Sequence, residues 1–60
     1  MVNKIKELAK NKGVSITELE KQAGISHGAI GKWETSKPLA ENLQKVAAVL
    51  GVKMEDLLAE

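Results

Sequence analysis

The stretch from residue 15 to residue 34, SITELEKQAGISHGAIGKWE, constrains the fold more than any other part of the chain. Ser15 and Glu18 stand three residues apart, which is the spacing of a capping box at the start of a helix. Gly24 interrupts the helical pattern where a turn is needed, and Ser26 offers a hydroxyl that can cap a following helix. These signals predict two short helices joined by a tight turn.

Apolar side chains recur through this stretch at spacings that place them on one common side of both predicted helices. They are Leu19, Ala23, Ile25, Ile30 and Trp33. Two helices that share a buried side across a tight turn form a helix-turn-helix, whose second helix can enter the major groove of DNA. The spacing of Trp33 from Ile30 assigns the indole to the core rather than to a base-stacking platform. The motif favours DNA binding over catalysis.

The rest of the chain is predicted to be helical as well, with no pattern typical of a strand. Five helices are expected, over residues 2–12, 16–23, 27–34, 40–50 and 54–59. We therefore predict an all-α fold, a compact five-helix bundle that residues 1–60 form as a single domain. The side chains expected in its core are Ile5, Leu8, Leu19, Ala23, Ile25, Ile30, Trp33, Leu43, Val46, Ala47, Leu50, Val52 and Leu57.

Length and composition exclude several classes of protein. A chain of 60 residues buries only about 60% of the surface that its unfolded form exposes. There is no cysteine and only one histidine, so that neither a disulfide nor a metal site is expected, and no cofactor is implied. No apolar run approaches the roughly 20 residues of a membrane span, and the first residues lack the apolar core of a signal peptide. A cytoplasmic protein is expected.

Charge is distributed unevenly along the chain, although the net charge is only +1. Residues 1–37 carry seven lysines and four glutamates, whereas residues 38–60 carry two lysines and four acidic residues. The basic part coincides with the predicted helix-turn-helix, as in a nucleic-acid site, although an ordinary solvated surface would also account for it. All the cations are lysines, so that no arginine can recognise guanine with two parallel hydrogen bonds.

Taken together, these residues resemble the Cro/C1-type (Xre-like) helix-turn-helix domain, the lambda-repressor-like fold of phage repressors and many bacterial regulators. The resemblance extends over IKELAKNKG, VSITELEKQAGIS, GAIGKWETSKP, LQKVAAVLGV and EDLL, which is nearly the whole chain. The sequence around the turn is similar to that of repressors of phages from Gram-positive hosts. The resemblance implies sequence-specific binding of double-stranded DNA by a transcriptional regulator, most simply a repressor on an operator half-site.

The resemblance also implies which residues touch DNA. The start of the second helix would face a phosphate, the third helix would face base edges, and the following loop would return to the backbone. The residues at these positions are Ser15, Ile16 and Thr17, then Ser26, His27, Gly28, Ala29 and Lys32, then Thr35, Ser36 and Lys37. Family members usually bind as dimers to half-sites about one helical turn apart. A palindromic operator and a homodimer are therefore expected, through the last helix or through a C-terminal part missing here.

Several of these positions also allow a less specific interpretation. His27 could donate to a guanine or a phosphate, or lie idle at the surface, and Ala29 could contact a thymine methyl or nothing. Gly28 inside a helix costs roughly 1 kcal/mol relative to alanine, which favours a role in close approach to DNA over mere tolerance. Lys32 faces outward between two core residues, and we expect it to contact a phosphate or a guanine.

The chain departs from the family's pattern at several positions. Ile16 stands where a DNA-binding glutamine is common, so that only backbone N–H groups remain there to bind a phosphate. Glu20 stands where a small residue is usual, and its side chain is expected to bend out into solvent. Leu39 and Lys53 replace the polar caps of the fourth and fifth helices, which costs about 1 kcal/mol for each helix start.

Two further functions remain open from the sequence. Ile16 and the lack of arginine favour a protein-interaction module that kept the fold but lost DNA binding, and that buries Ile16, Met54 and Leu58 against a partner protein. An antitoxin component is an alternative within the DNA-binding class. An enzyme is not expected, because Ser26 and His27 are merely neighbours, and adjacent helical residues do not face each other.

Overall fold

The structure is a computed structural model that describes residues 1–58. These residues form five α-helices. They are α1 (Val2–Lys12), α2 (Ile16–Ala23), α3 (Ala29–Lys32), α4 (Ala40–Leu50) and α5 (Met54–Leu58). Residues 1–58 contain no strand, and none of their helices is long and apolar enough to cross a membrane. The all-α fold is confirmed, as are the bounds of α1, α2 and α4. The predicted last residue of the fifth helix, 59, lies outside the described residues.

Helices α1, α2 and α4 all end in a glycine that is followed by a β-branched residue. In α2 the N–H of Ile25 donates to the carbonyl of Glu20 at 3.0 Å, and the N–H of Gly24 donates to that of Lys21 at 3.2 Å. This pair of bonds is the Schellman motif, in which the glycine is left-handed and the next apolar residue packs back onto the helix. The three pairs are Gly13–Val14, Gly24–Ile25 and Gly51–Val52. Their apolar members all pack against the core.

The third helix is much shorter than predicted. The sequence predicts it over residues 27–34, but α3 is a single turn from Ala29 to Lys32. Gly28, which precedes it, has a φ of +86°, in the left-handed region. A right-handed helix cannot continue back through such a residue. After α3, the N–H of Trp33 donates to the carbonyl of Ile30 at 3.0 Å, a tighter i→i−3 bond that is typical of a helix end.

The core is built around α2 and α4, against which α1, α3 and α5 pack. Its buried side chains are Val2, Ile5, Ala9, Leu19, Ala23, Ile30, Trp33, Leu43, Val46, Ala47 and Leu57. Most of the predicted core is therefore confirmed, including the placement of Trp33. The predicted members that are only half-buried, at the edge of the core, are Leu8, Ile25, Leu50 and Val52.

The starts of α4 and α5 differ, although both lack the usual polar cap residue. At Leu39 no side chain caps α4, as predicted. At α5 the N–H of Lys53 donates to Oδ2 of Asp56 at 3.1 Å, and the N–H of Asp56 donates back to the carbonyl of Lys53 at 3.0 Å. This carboxylate supplies one half of a capping box from within the helix. The other half is missing, as predicted, because the side chain of Lys53 has no acceptor for the N–H of Asp56.

Candidate nucleic-acid interface

The predicted helix-turn-helix consists of α2, residues 24–28 and α3. The first of these helices starts at Ser15, whose Oγ accepts a hydrogen bond from the N–H of Glu18 at 3.0 Å. This confirms the predicted cap. Leu19 from α2 and Ile30 from α3 enter the same core, so that the two helices share one buried side, as the apolar spacing predicts.

Glu20 connects the two helices, contrary to the expectation that its side chain bends out into solvent. The residue is only 2% exposed. Its Oε1 accepts the N–H of Gly28 at 2.9 Å, and its Oε2 accepts the N–H of Ile30 at 3.0 Å. A buried carboxylate is tolerated only when hydrogen bonds replace the water that it has lost. The two N–H groups of the chain after the turn provide that replacement.

The sequence does contain a signal for this role, which the family comparison obscures. Residues 16, 19, 20 and 23 follow the i, i+3, i+4, i+7 spacing of the buried side of a helix. Three of them are apolar, and the fourth is Glu20. A carboxylate on the buried side of a short helix needs donors from a neighbouring segment. This spacing indicates that Glu20 binds inside the protein and does not reach solvent.

Ser26 does not cap α3, which is a second correction to the predicted site. The helix begins after Gly28 without a side-chain cap from that residue. The carbonyl of Ser26 accepts the N–H of Ala29 at 3.0 Å, whereas Glu20 takes the N–H groups on either side of it. Three consecutive N–H groups are thus paired within the protein, and they are not free to bind a phosphate.

Gly28 and Gly31 form a matched pair for testing the geometry of this turn. A Cβ at either position would have no heavy atom within 4 Å, but only Gly28 has a positive φ, of +86°. Gly28→Ala is expected to destabilise the fold by about 1 kcal/mol or more, and Gly31→Ala to stabilise it by about 0.5–1 kcal/mol. Thermal unfolding of both variants checks the signs. Equal effects would contradict the left-handed conformation of Gly28. That conformation alone is a reason for a glycine at this position, whether or not DNA approaches it closely.

Most of the predicted contact residues lie at the surface. Those that are exposed are Ser15, Thr17, Ser26, His27, Gly28, Lys32, Thr35, Ser36 and Lys37. Ile16 and Ala29 are half-buried, and Ile16 packs against the core. The side chain of Ile16 therefore packs partly inside the protein, and its backbone N–H is the group that could reach a ligand.

Two of the predicted contact regions meet in a shallow cavity beside the turn. This cavity of about 300 Å³ is lined by Thr17, Glu20, Lys21, Ile25 and His27. The His27 side chain is 81% exposed, and its Nδ1 lies 3.8 Å from Oε1 of Glu20. The structure thus brings the start of α2 and the segment before α3 onto one surface, as contact with a single DNA duplex requires.

The third predicted region folds back onto the end of α3. The carbonyl of Lys32 accepts the N–H of Ser36 at 2.9 Å and the Oγ1–H of Thr35 at 3.4 Å. Lys37 lies further along, at a separate apolar groove that also contacts α5 through Leu58. The structure therefore connects Lys32, Thr35 and Ser36 by hydrogen bonds, whereas Lys37 lies in the loop before α4.

The charges that remain at this surface are mostly unpaired lysines. Between the described residues, ion pairs join Lys6 to Glu34 at 3.8 Å and Lys45 to Glu41 at 3.6 Å, and none involves Lys32. Exposed pairs of this kind contribute at most about 1 kcal/mol. Within residues 1–58 no group of three or more His, Cys, Asp or Glu side chains could hold a metal ion. The polar groups at this surface are hydroxyls, imidazole and ammonium groups, together with the carboxylate of Glu20 in the lining of the cavity.

Comparison with known proteins agrees with this geometry. The family model described as helix-turn-helix matches residues 5–57. The chain is 37% identical over 60 residues to the HTH-type transcriptional regulator SinR of Bacillus subtilis strain 168, and equally similar to SinR of Bacillus licheniformis. Each alignment covers 95% of this chain and 54% of the relative, so that the chain spans about half the length of these relatives. The comparison with solved structures gives no significant match.

Proposed function

Because the chain belongs to the helix-turn-helix family, of the Cro/C1 type, we propose that it binds double-stranded DNA sequence-specifically and represses transcription. The observation that carries this proposal is the surface on which the start of α2 and the segment before α3 meet, with Thr17 and His27 in one cavity. Residues 1–60 would act as a single DNA-binding domain in the bacterial cytoplasm. Members of this family are typically not enzymes.

Four residues around α3 would recognise the bases, of which Ala29 is half-buried and the other three are exposed. Ser26, His27 and Ala29 precede or begin α3, and Lys32 ends it. Imidazole and ammonium groups can donate to guanine or phosphate, and an alanine methyl can contact the methyl of thymine. Because α3 consists of one helical turn, the residues just before it would enter the groove together with the helix. This differs from a recognition helix of ordinary length.

The start of α2 and the loop after α3 would bind the backbone on either side. The Ser15 hydroxyl occupies the N–H of Glu18, which leaves those of Ile16 and Thr17 without a partner inside the helix. N–H groups at a helix start bind phosphate oxygens, with help from the helix dipole. Thr35, Ser36 and Lys37 provide polar side chains for the next phosphates along the groove.

Selection of duplexes from a randomised library tests this function directly. The chain is expected to enrich one sequence, which it then binds at least about 10³-fold more tightly than a mixed-sequence duplex at the same salt concentration. A reporter gene that carries the enriched sequence in its promoter should be repressed when the chain is expressed. Salt-dependent binding without any enriched sequence would contradict the proposal.

We also propose that the chain binds a palindromic operator as a homodimer, and the apolar surface beside α5 supports this. Leu58 is 59% exposed, and it borders the groove of about 320 Å³ that Lys37 also lines. Leu58→Glu should convert the dimer into a monomer in sedimentation equilibrium and weaken binding to the full palindrome but not to one half-site. A wild-type chain that sediments as a monomer and binds the palindrome no more tightly than one half-site would contradict the dimer.

The alternative of a protein-interaction module is left with less exposed apolar surface than the sequence predicts. It requires Ile16, Met54 and Leu58 to be free for a partner protein. Ile16 and Met54 pack against the chain's own core, so that of these three only Leu58 is largely exposed. One exposed leucine on α5 is compatible with the proposed dimer and does not require a different function.

A further inference from the structure

Among residues 1–58, Glu20 is the one charged side chain that is buried. Its two oxygens bind the N–H groups of residues that lie eight and ten positions further along the chain. Neither bond belongs to α2 itself. The carboxylate instead reaches across the turn and fixes the segment that the proposed function places against the bases.

We propose that Glu20 is a positioning residue for DNA recognition. Its carboxylate holds Ser26–Ile30 in one conformation before DNA arrives, and in this way supports sequence-specific binding without supporting non-specific binding. This inference rests on the proposed function, since it assigns a role within that site.

The segment needs such support because its own structure provides little. A single helical turn is not stable alone, because the conformational entropy lost in forming the first turn exceeds the stabilisation from its one hydrogen bond. Ile25 anchors the segment at one end through its bond to the Glu20 carbonyl at 3.0 Å, and Ile30 anchors the other end in the core. Between these points, the carboxylate of Glu20 binds the N–H groups of Gly28 and Ile30. Hydrogen bonds to an ionised acceptor are about twice as strong as neutral ones.

The charge of Glu20 argues against a role in non-specific attraction. The carboxylate lies at the cavity that Thr17 and His27 share, on the side where phosphates would approach. A negative charge there repels DNA of any sequence, although Lys21, which lines the same cavity, offsets part of the repulsion. Its benefit to DNA binding must therefore come from the conformation that it imposes.

Glu20→Gln separates these two contributions. The amide has nearly the same shape, but its single oxygen can accept only one of the two N–H groups, and its NH₂ opposes the other. Affinity for the duplex enriched by the wild type should fall at least tenfold. Affinity for a mixed-sequence duplex at low salt should stay within twofold or rise. An unchanged ratio of the two affinities would overturn the proposal.

Glu18→Gln is the matched control, because it removes the same charge from the same helix. Glu18 is exposed, and its side chain accepts a bond only from Gln22 Nε2 at 3.2 Å. This variant should bind both duplexes slightly more tightly and keep the wild-type ratio. A loss of ratio as large as that of Glu20→Gln would show that charge, and not positioning, is responsible.

Hydrogen exchange in the wild type provides a test that does not depend on the variant's stability. The amides of Gly28 and Ile30 should already be protected in the free protein, and the enriched duplex should slow their exchange by less than threefold. Protection that arises only in the complex would overturn the proposal. If the wild type enriches no duplex, the proposed function fails, and protected amides would then assign Glu20 to the fold alone.

Discussion

Leu19→Ala is expected to unfold a large fraction of the molecules at 37 °C. Leu19 is 0% exposed and lies on α2, the helix that packs against α1, α3 and α4. Truncation of a buried leucine costs about 2–5 kcal/mol, whereas a domain of this size is stable by only about 3–9 kcal/mol. Circular dichroism during thermal unfolding measures the effect, and we expect the midpoint to fall by more than 10 °C, at roughly 4–8 °C per kcal/mol.

Leu39→Ala makes the same chemical change at a surface position. Leu39 is 70% exposed and precedes α4 without a side-chain cap. Substitutions at such sites usually change stability by less than about 0.5 kcal/mol. Equal losses for the two variants would contradict the assignment of Leu19 to the core and the arrangement of α2 against its neighbours.

Lys32→Ala is expected to weaken binding to the enriched duplex more than tenfold while the fold remains intact. Lys32 ends α3, is exposed, and takes no part in the ion pairs found within residues 1–58. If its ammonium group binds a phosphate, the slope of log affinity against log salt should also fall by about one. Fluorescence anisotropy with a labelled duplex at three salt concentrations gives both quantities.

Lys45→Ala provides the control of equal charge for this comparison. Lys45 lies on α4, pairs with Glu41 at 3.6 Å, and is not among the predicted contact residues. Its loss should lower the affinity by less than threefold and leave the salt slope nearly unchanged. A similar loss for both lysines would mean that only net charge matters, and Lys32 would then leave the proposed interface.

The bounds of α1, α2 and α4 could be predicted because local signals determine them. Each helix has an apolar repeat of three and four residues, and each ends at a glycine before Val14, Ile25 or Val52. The Schellman motif depends on these few adjacent residues alone. A short-range pattern therefore suffices for these three helices.

The extent of α3 could not be predicted, because distant residues determine it. Within the sequence, Ser26 precedes a helical pattern at a distance suited to a cap. In the structure, Glu20 binds the N–H groups of Gly28 and Ile30, Gly28 has a left-handed conformation, and the helix begins only after it. A hydrogen bond across eight or ten residues competes with the local preference and overrides it.

The candidate site combines both situations. The cap at Ser15 and the exposure of Lys32 follow from local spacing, whereas the shared cavity of Thr17 and His27 depends on the angle between α2 and the turn. Likewise, the apolar side chain of Ile16 predicts no hydrogen bond to DNA, so that only its backbone N–H is expected to bind there. Its packing against the core depends on how the helices are arranged. Contact with DNA itself remains a prediction from the resemblance to the family.

An NMR amide titration of the labelled domain with a mixed-sequence duplex, at low and at higher salt concentration, tests the proposed interface most directly. Non-specific binding of roughly 10⁻⁴ to 10⁻⁶ M should shift amides at residues 15–17, 26–32 and 35–37, and these shifts should fade as salt displaces the protein from the phosphates. Shifts confined to α5, or no shifts at any salt concentration, would contradict DNA binding by α2 and α3.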